Sequence, residues 1–180
     1  ACLKREIDEV ITPEIDTYRL NAWVTGHGLT EGNTILSNND GALTKSNIVA
    51  AIFNGNAAMS DQRVPRSGRV LYIPELTYVQ FKLADVVMAA DGVSAENIRR
   101  GYKGTIDGVE VVTVPSSMFP SGCNFIIKHK GCTVDPVKLQ NYHIRKDAQG
   151  FDGPVVEGRI YFDSFVLDAK KAGVGKLLAK

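Results

Sequence analysis

The chain has 180 residues, 44% of them apolar, and its 21 lysines and arginines against 20 aspartates and glutamates leave a formal charge of +1. That length supports one substantial core or two small lobes sharing one, and the near-neutral balance argues against a dedicated nucleic-acid groove. No stretch is long and apolar enough to span a bilayer, and Lys4, Arg5, Glu6, Asp8 and Glu9 interrupt the start, where a secretory leader would be apolar. Cys2, Cys123 and Cys132 are odd in number and form no C-x-x-C pair. With three histidines they lack the closely paired ligands of a zinc site, so buried thiols in a reducing compartment are expected and no metal or cofactor is assigned.

Residues 3 to 24 predict a helix. Leu3, Ile7, Val10 or Ile11, Ile15, Tyr18 and Ala22 recur at three- and four-residue spacing and share a face. Pro13 interrupts it, because proline removes one backbone donor and its ring collides with the preceding turn; a long helix with a disturbance there is expected. Residues 26 to 41 read as a loop. Gly26-His27-Gly28 has the spacing of a nucleotide loop but no strand before it. Thr44 is placed to cap a helix with an apolar face of Ile48, Val49, Ile52, Phe53 and Met59, ending by Asp61.

Arg69-Val70-Leu71-Tyr72-Ile73, between Gly68 and Pro74, reads as a buried strand. A helix follows from Pro74, expected to pass Leu83, to present Leu76, Val79, Phe81, Leu83 and Val86 or Val87, and to end at Asp91-Gly92. Asp107-Gly108 is a turn leading into the strand Val109 to Val114, stopped by Pro115. Asn124 to Lys128 is a third strand, and a helical turn is expected around Val137 to Leu139. Tyr142 to Arg145 is expected to pair with a long strand from Val155 to Leu167, apolar on both faces, and residues 168 to 180 read as a lysine-flanked tail. The total is α+β.

Chemistry finds little support. Asp85, Asp91, Asp107 and Glu110 are carboxylates in turns and element ends, with nothing implying the cleft that paired catalytic acids need. His27, His129 and His143 lack a recognisable nucleophile motif nearby, and His129 with Cys132 would form a dyad only through contact in space. Lys45, Lys82, Arg99, Arg100, Lys103, Lys128 and Lys130, with Tyr102 and Phe125 among them, are the material of a nucleic-acid surface without the compact signature of an RNA-binding sheet.

Glu6-Ile7-Asp8 with Pro13 to Arg19 resembles the segment before the spine-helix region of tailed-bacteriophage major capsid proteins. Val64-Pro65 with Gly68 to Pro74 resembles a stretch of their apical domain, and Gly104-x-Ile106-Asp107-Gly108-Val109-Glu110-Val111 the step that follows. Ala148 to Gly153 with Val156 to Asp163 resembles their closing strand pair. The resemblance implies the HK97-like fold: a peripheral lobe from 1–41 and 121–180, built on the spine helix and long strands, and an apical lobe from 42–120. It implies a non-enzymatic shell subunit forming pentamers and hexamers around double-stranded DNA, assembled in the bacterial host cytoplasm. Its partners would be copies of itself, scaffolding and portal proteins, and DNA held non-specifically, with no membrane. An encapsulin-like compartment and a small nucleic-acid-binding module are the alternatives. Family members carry an N-terminal arm and an E-loop that this sequence does not show, so a folded core is expected that alone is monomeric or weakly associated. Arg66, Arg69, Arg99, Arg100, Lys103 and Asp107 are the candidate subunit contacts. A ring contact joins two different patches, mixed-sign surfaces fix its register, and avidity multiplies modest contacts.

Overall fold

The computed structural model describes residues 2–25, 43–84, 105–146, 150 and 153–178, without the side chains of 2, 3, 139, 140 and 178. The first helix forms with its disturbance. Helix α1 (Cys2–Glu6) passes into a π-helical turn, Ile7–Ile11, and then into α2 (Thr12–Thr25). The Thr12 N–H reaches back five residues to the Ile7 carbonyl. The wider turn lies directly before Pro13, whose ring would otherwise press on the Glu9 carbonyl. Val10 is exposed and Ile11 half-buried, which settles which of the two faces inward.

Helix α3 (Ile48–Asp61) buries Ile48, Val49, Ile52, Asn56 and Met59, whereas Phe53 is exposed. Thr44 does not cap it with its hydroxyl. The Thr44 carbonyl instead accepts from the Asn47 and Ile48 N–H groups, and Asn47 Oδ1 accepts from the Thr44 N–H. Strand β1 (Arg69–Pro74) leads into α4 (Glu75–Lys82). That helix is shorter than expected, and it buries Tyr78 and Phe81 while Leu76, Val79 and Leu83 are exposed. Strand β2 (Thr105–Ile106), too short to signal itself in the sequence, turns into β3 (Val109–Val114) through Asp107 (φ +49°) and Gly108 (φ +77°). Two left-handed residues in a two-residue loop match the strand twist, and Asp-Gly tolerates them.

Strand β4 (Cys123–His129) and the closing strand β9 (Val174–Leu178) complete a sheet of order β2-β3-β1-β4-β9, with β1 and β3 parallel and the other pairs antiparallel. Residues 168–178 are therefore a 3-10 turn (Asp168–Gly173) and a sheet strand rather than a loose tail. Val174 and Leu177 bury against the sheet, which stabilises the segment by about 1.5–3 kcal/mol per side chain. Strands β4 and β9, from the segment after residue 120, thus share one sheet with β1 and β3.

Period-two alternation divides the core. Leu71, Ile73, Val109, Val111, Phe125 and Ile127 face α3 and α4. Ile126, Val114 and Val174 face the other way, onto Leu20, Trp23 and Val24 of α2. Lys176 Nζ on β9 donates to the Val24 carbonyl at 2.7 Å and so satisfies an end of α2.

Beyond the sheet, the 3-10 turn Lys130–Cys132 leads to β5 (Thr133–Val134), and β6 (Val137–Arg145) pairs antiparallel with β7 (Val155–Phe162) in a separate hairpin. Residues 137–139 are thus strand, not a helical turn. The run from Val155 breaks at Asp163–Ser164, and β8 (Phe165–Val166) pairs with β5 instead. One hairpin face packs on the first helix, where Tyr18 meets Phe162 edge-on at 5.3 Å. Tyr161 on the other face is exposed, so β7 is not covered on both sides.

Candidate functional site

Three of the candidate contact residues gather at one end of the sheet. Arg66 Nη1 lies 3.9 Å from Asp107 Oδ1, and both side chains are exposed. Arg69 lies beside them but is 1% exposed, so it is not a surface contact. Its Nε donates to the Pro65 carbonyl at 3.0 Å, Nη1 to the Asn56 carbonyl at 2.7 Å and to Asn56 Oδ1, and Nη2 to Ser60 Oγ at 3.1 Å and the Val64 carbonyl at 2.6 Å. All five guanidinium N–H directions are thereby used. Burial, with Arg66 nearby, pulls its pKa below the ordinary guanidinium value, and Asp107 opposes this. Asn56 Nδ2 donates in turn to Asp107 Oδ2 at the β2–β3 turn. One buried asparagine therefore ties the 62–68 loop, helix α3 and the hairpin turn together. Asn56 carried a legible signal, since it continues the i, i+4 row of Ile48 and Ile52 on the apolar face. Arg99, Arg100 and Lys103 lie outside the described residues, as do His27, Asp85, Asp91 and Tyr102.

Among the described residues, Phe125, Lys128 and Lys130 do not line up as one basic and aromatic face. Phe125 is wholly in the core. Lys128 is buried, with Nζ 3.4 Å above the Trp23 ring and donating to Thr133 Oγ1 at 2.8 Å. Burial lowers its pKa, and Asp135 acts in the opposite direction. Trp23 Nε1 donates to Ser164 Oγ at 3.0 Å, and Ser164 donates to Asp135, so the lysine sits in a satisfied polar network beneath a cleft of about 420 Å³ lined by Arg19, Tyr72 and Met118 among others. Lys130 pairs with Glu110 at 2.9 Å on the surface.

Nor do His129 and Cys132 form a dyad. The His129 Nδ1 accepts from the Gly131 N–H at 3.1 Å, while the Cys132 thiol donates to the His129 and Gly173 carbonyls at 2.8 and 3.2 Å. Cys123 and Cys132 are free and buried, and burial pushes both thiols up, Cys123 to about 12. Neither supplies a thiolate near neutral pH. Among the described residues no group of His, Cys, Asp and Glu could hold a metal ion, and no helix is long and apolar enough to cross a membrane.

Another concavity lies between the first helix and the β6–β7 hairpin. It is an open groove of about 520 Å³, with Ile11, Ile15, Ile160 and Phe162 on its walls and Glu6 and Glu14 at its rim. Tyr142 pairs across the hairpin with Gly158, and a Cβ on that glycine would lie 2.6 Å from the tyrosine ring. The glycine gives the ring its place. The Tyr142 hydroxyl is buried and has no hydrogen-bond partner. The sequence showed the hairpin but not this groove, which depends on how the helix crosses it.

No family model and no curated protein matches the chain. Solved structures do. A chain from Mycobacterium phage Che8 superposes with a TM-score of 0.75 at 15% identity, covering 97% of this chain and 61% of that one. A chain from the capsid structure of the cyanophage P-SCSP1u gives 0.61 at 16% identity, covering 77% and 48%. A chain from the asymmetric unit of the bacteriophage PhiM1 mature capsid gives 0.57 at 13% identity, covering 74% and 47%. The chain thus spans about three-fifths of the Che8 chain's length and about half of the other two. Its fold is mixed α+β and resembles the HK97-like capsid architecture.

Proposed function

We propose that this chain is the folded core of a phage capsid subunit, which self-assembles into pentamers and hexamers of an icosahedral shell enclosing double-stranded DNA. The observation that carries the reading is the superposition of nearly the whole chain on the Che8 phage chain, with two further matches to chains from phage capsids. The site geometry supports it: the buried polar clusters around Arg69 and Lys128 hold elements together and present no converging reactive groups to solvent. On this reading the role is structural rather than enzymatic, and the chain resides in the virion after assembly in the host cytoplasm. Its partners are copies of itself, scaffolding and portal proteins, and DNA contacted without sequence preference. Arg66 and Asp107, exposed at the sheet end, are proposed subunit contacts, with Arg99, Arg100 and Lys103. The test is to purify particles containing this chain from the producing cells and treat them with nuclease. Protected double-stranded DNA is expected. Particles filled with a protein cargo would make the shell an encapsulin-like compartment, and a chain found in no particle would overturn the reading.

A further inference from the structure

The cleft above Lys128 joins an apolar lining to an arginine whose donors are largely unused. Leu20, Trp23, Tyr72, Val114 and Met118 line it, with four charged residues, Asp16, Arg19, Lys128 and Asp135. We propose that it binds a small monocarboxylate with an apolar body. The body lies against Tyr72 and Met118, and the Arg19 guanidinium holds the carboxylate near the fixed charge of Lys128. The site lies outside the shell reading, and its test is separate from the test of that reading.

The two buried arginine environments differ. Arg69 uses its N–H groups inside the fold. Arg19 has an ion pair with Asp16 at 3.6 Å, a separation longer than a hydrogen bond. Its Nε is buried with no partner, although the side chain as a whole is 25% exposed. A carboxylate matches the planar fork of arginine and accepts two parallel hydrogen bonds from it. A turn of the flexible side chain brings the Nε edge to the ligand and gives that donor its acceptor. Lys128 is held in place instead, by Thr133 Oγ1 at 2.8 Å and the Trp23 ring. It acts as a standing positive charge. Arg19 is near enough to push the lysine's pKa down, so an anion beside both relieves their repulsion.

The lining also bounds the ligand's charge. Its two cations and two carboxylates balance. A monoanion suits that balance, whereas a phosphate dianion adds repulsion from Asp16 and Asp135. Asp135 is engaged already, accepting from Ser164 and Trp23. Asp16 is the carboxylate that the ligand displaces from Arg19. The volume of about 420 Å³ falls within the range of about 300–1,000 Å³ for sites that enclose small molecules, which are mostly apolar with a few placed polar groups.

The test is an NMR titration of the full chain, labelled at its methionine methyl groups, with benzoate. The Met118 signal, assigned through Met118→Leu, should shift and saturate at millimolar benzoate or below. Met59, wholly buried in the core on the other side of the sheet, should not move. Benzyl alcohol, acetate and inorganic phosphate lack the charge, the apolar body and the single charge respectively, and each should bind more weakly by about tenfold or more. Arg19→Gln should weaken benzoate binding by about the same factor, and Arg19→Lys should recover only part of it, because an ammonium has no planar fork. Asp16→Asn should tighten binding, since it removes the competing carboxylate and leaves Arg19 in place; it keeps the test open if Arg19→Gln does not fold. A Met118 signal that does not respond would overturn the proposal. So would any of the three control compounds binding as tightly as benzoate, an Arg19→Gln affinity equal to that of the unaltered chain, or weaker binding by Asp16→Asn. None of these outcomes bears on whether the chain forms shells.

Discussion

Replacing Arg69 by Met tests whether the sheet end is organised from inside. The substitution keeps an unbranched apolar stem and deletes the guanidinium. Its loss leaves Asn56 Oδ1 and the carbonyls of Val64 and Pro65 without their present donor, while the Asn56 carbonyl keeps the Ser60 hydroxyl. A buried acceptor left unpaired costs about 1–3 kcal/mol. Residues 62 and 63 and 65 to 68 are exposed, so water can reach some of these oxygens, while Asn56 Oδ1 in α3 is sealed. The net cost expected is about 3–5 kcal/mol, the range for breaking a buried charged network, against a total stability of about 5–15 kcal/mol for a domain. Arg69→Lys should fall between, because a point charge on a stem cannot span acceptors that the planar fork reaches together. Urea unfolding followed by the fluorescence of Trp23, the single tryptophan, measures this. A loss below about 1 kcal/mol for Arg69→Met, the size of an ordinary surface change, would refute the reasoning and make the cluster dispensable.

Alkaline pH should destabilise the chain through Cys123, whose thiol rises from near 9 to about 12 on burial. The folded state keeps that proton longer than the unfolded state, so this contribution is fully present below pH 9 and is lost as pH rises toward 12. Tyr72 and Tyr78, also raised by burial, act in the same direction, and the lowered Lys128 acts against them. Cys123→Ala should flatten the decline of urea midpoint over that window, and an unchanged slope would contradict it. Gly158→Ala should weaken the hairpin by about 1–3 kcal/mol as an overpacked contact, since its Cβ meets the Tyr142 ring at 2.6 Å. Tyr142→Ala should relieve most of that penalty in the double variant, whereas additive losses would place the strain elsewhere. The chain alone should sediment as a monomer at micromolar concentration, because exposed pairs such as Arg66–Asp107 contribute only about 0–1 kcal/mol each. A concentration-independent pentamer or hexamer would show that the described core carries assembly by itself.

Local pattern carried much of the fold. The i, i+4 row of Ile7, Ile11 and Ile15 and the flaw at Pro13 gave the first helix and its disturbed turn, and Val109 to Val114 read directly as a strand. What stayed hidden depends on pairing between distant residues. Val174 to Leu178 is short and flanked by lysines, and it becomes a strand only because β4 offers it an edge. Leu20, Trp23 and Val24 lie off the helical row drawn from Leu3 to Ala22, because the helix packs first on the hairpin and then on the sheet. Leu76, Val79 and Leu83 satisfy a helical period as well as any core stripe, and only the position of α4 shows that Tyr78 and Phe81 face inward. At the candidate site the sequence placed Arg66 and Asp107 on the surface but could not see that Arg69 turns inward, since a strand residue's side is set by the register of its neighbours.

The most direct measurement of the central claim is electron microscopy of the product of the natural reading frame expressed in bacteria, reconstructed far enough to trace the subunit. The account predicts closed shells of pentamers and hexamers in which each subunit contains the five-stranded sheet and the β6–β7 hairpin described above. A soluble protein that forms no shell, or shells whose subunit density does not accommodate this sheet order, would contradict it.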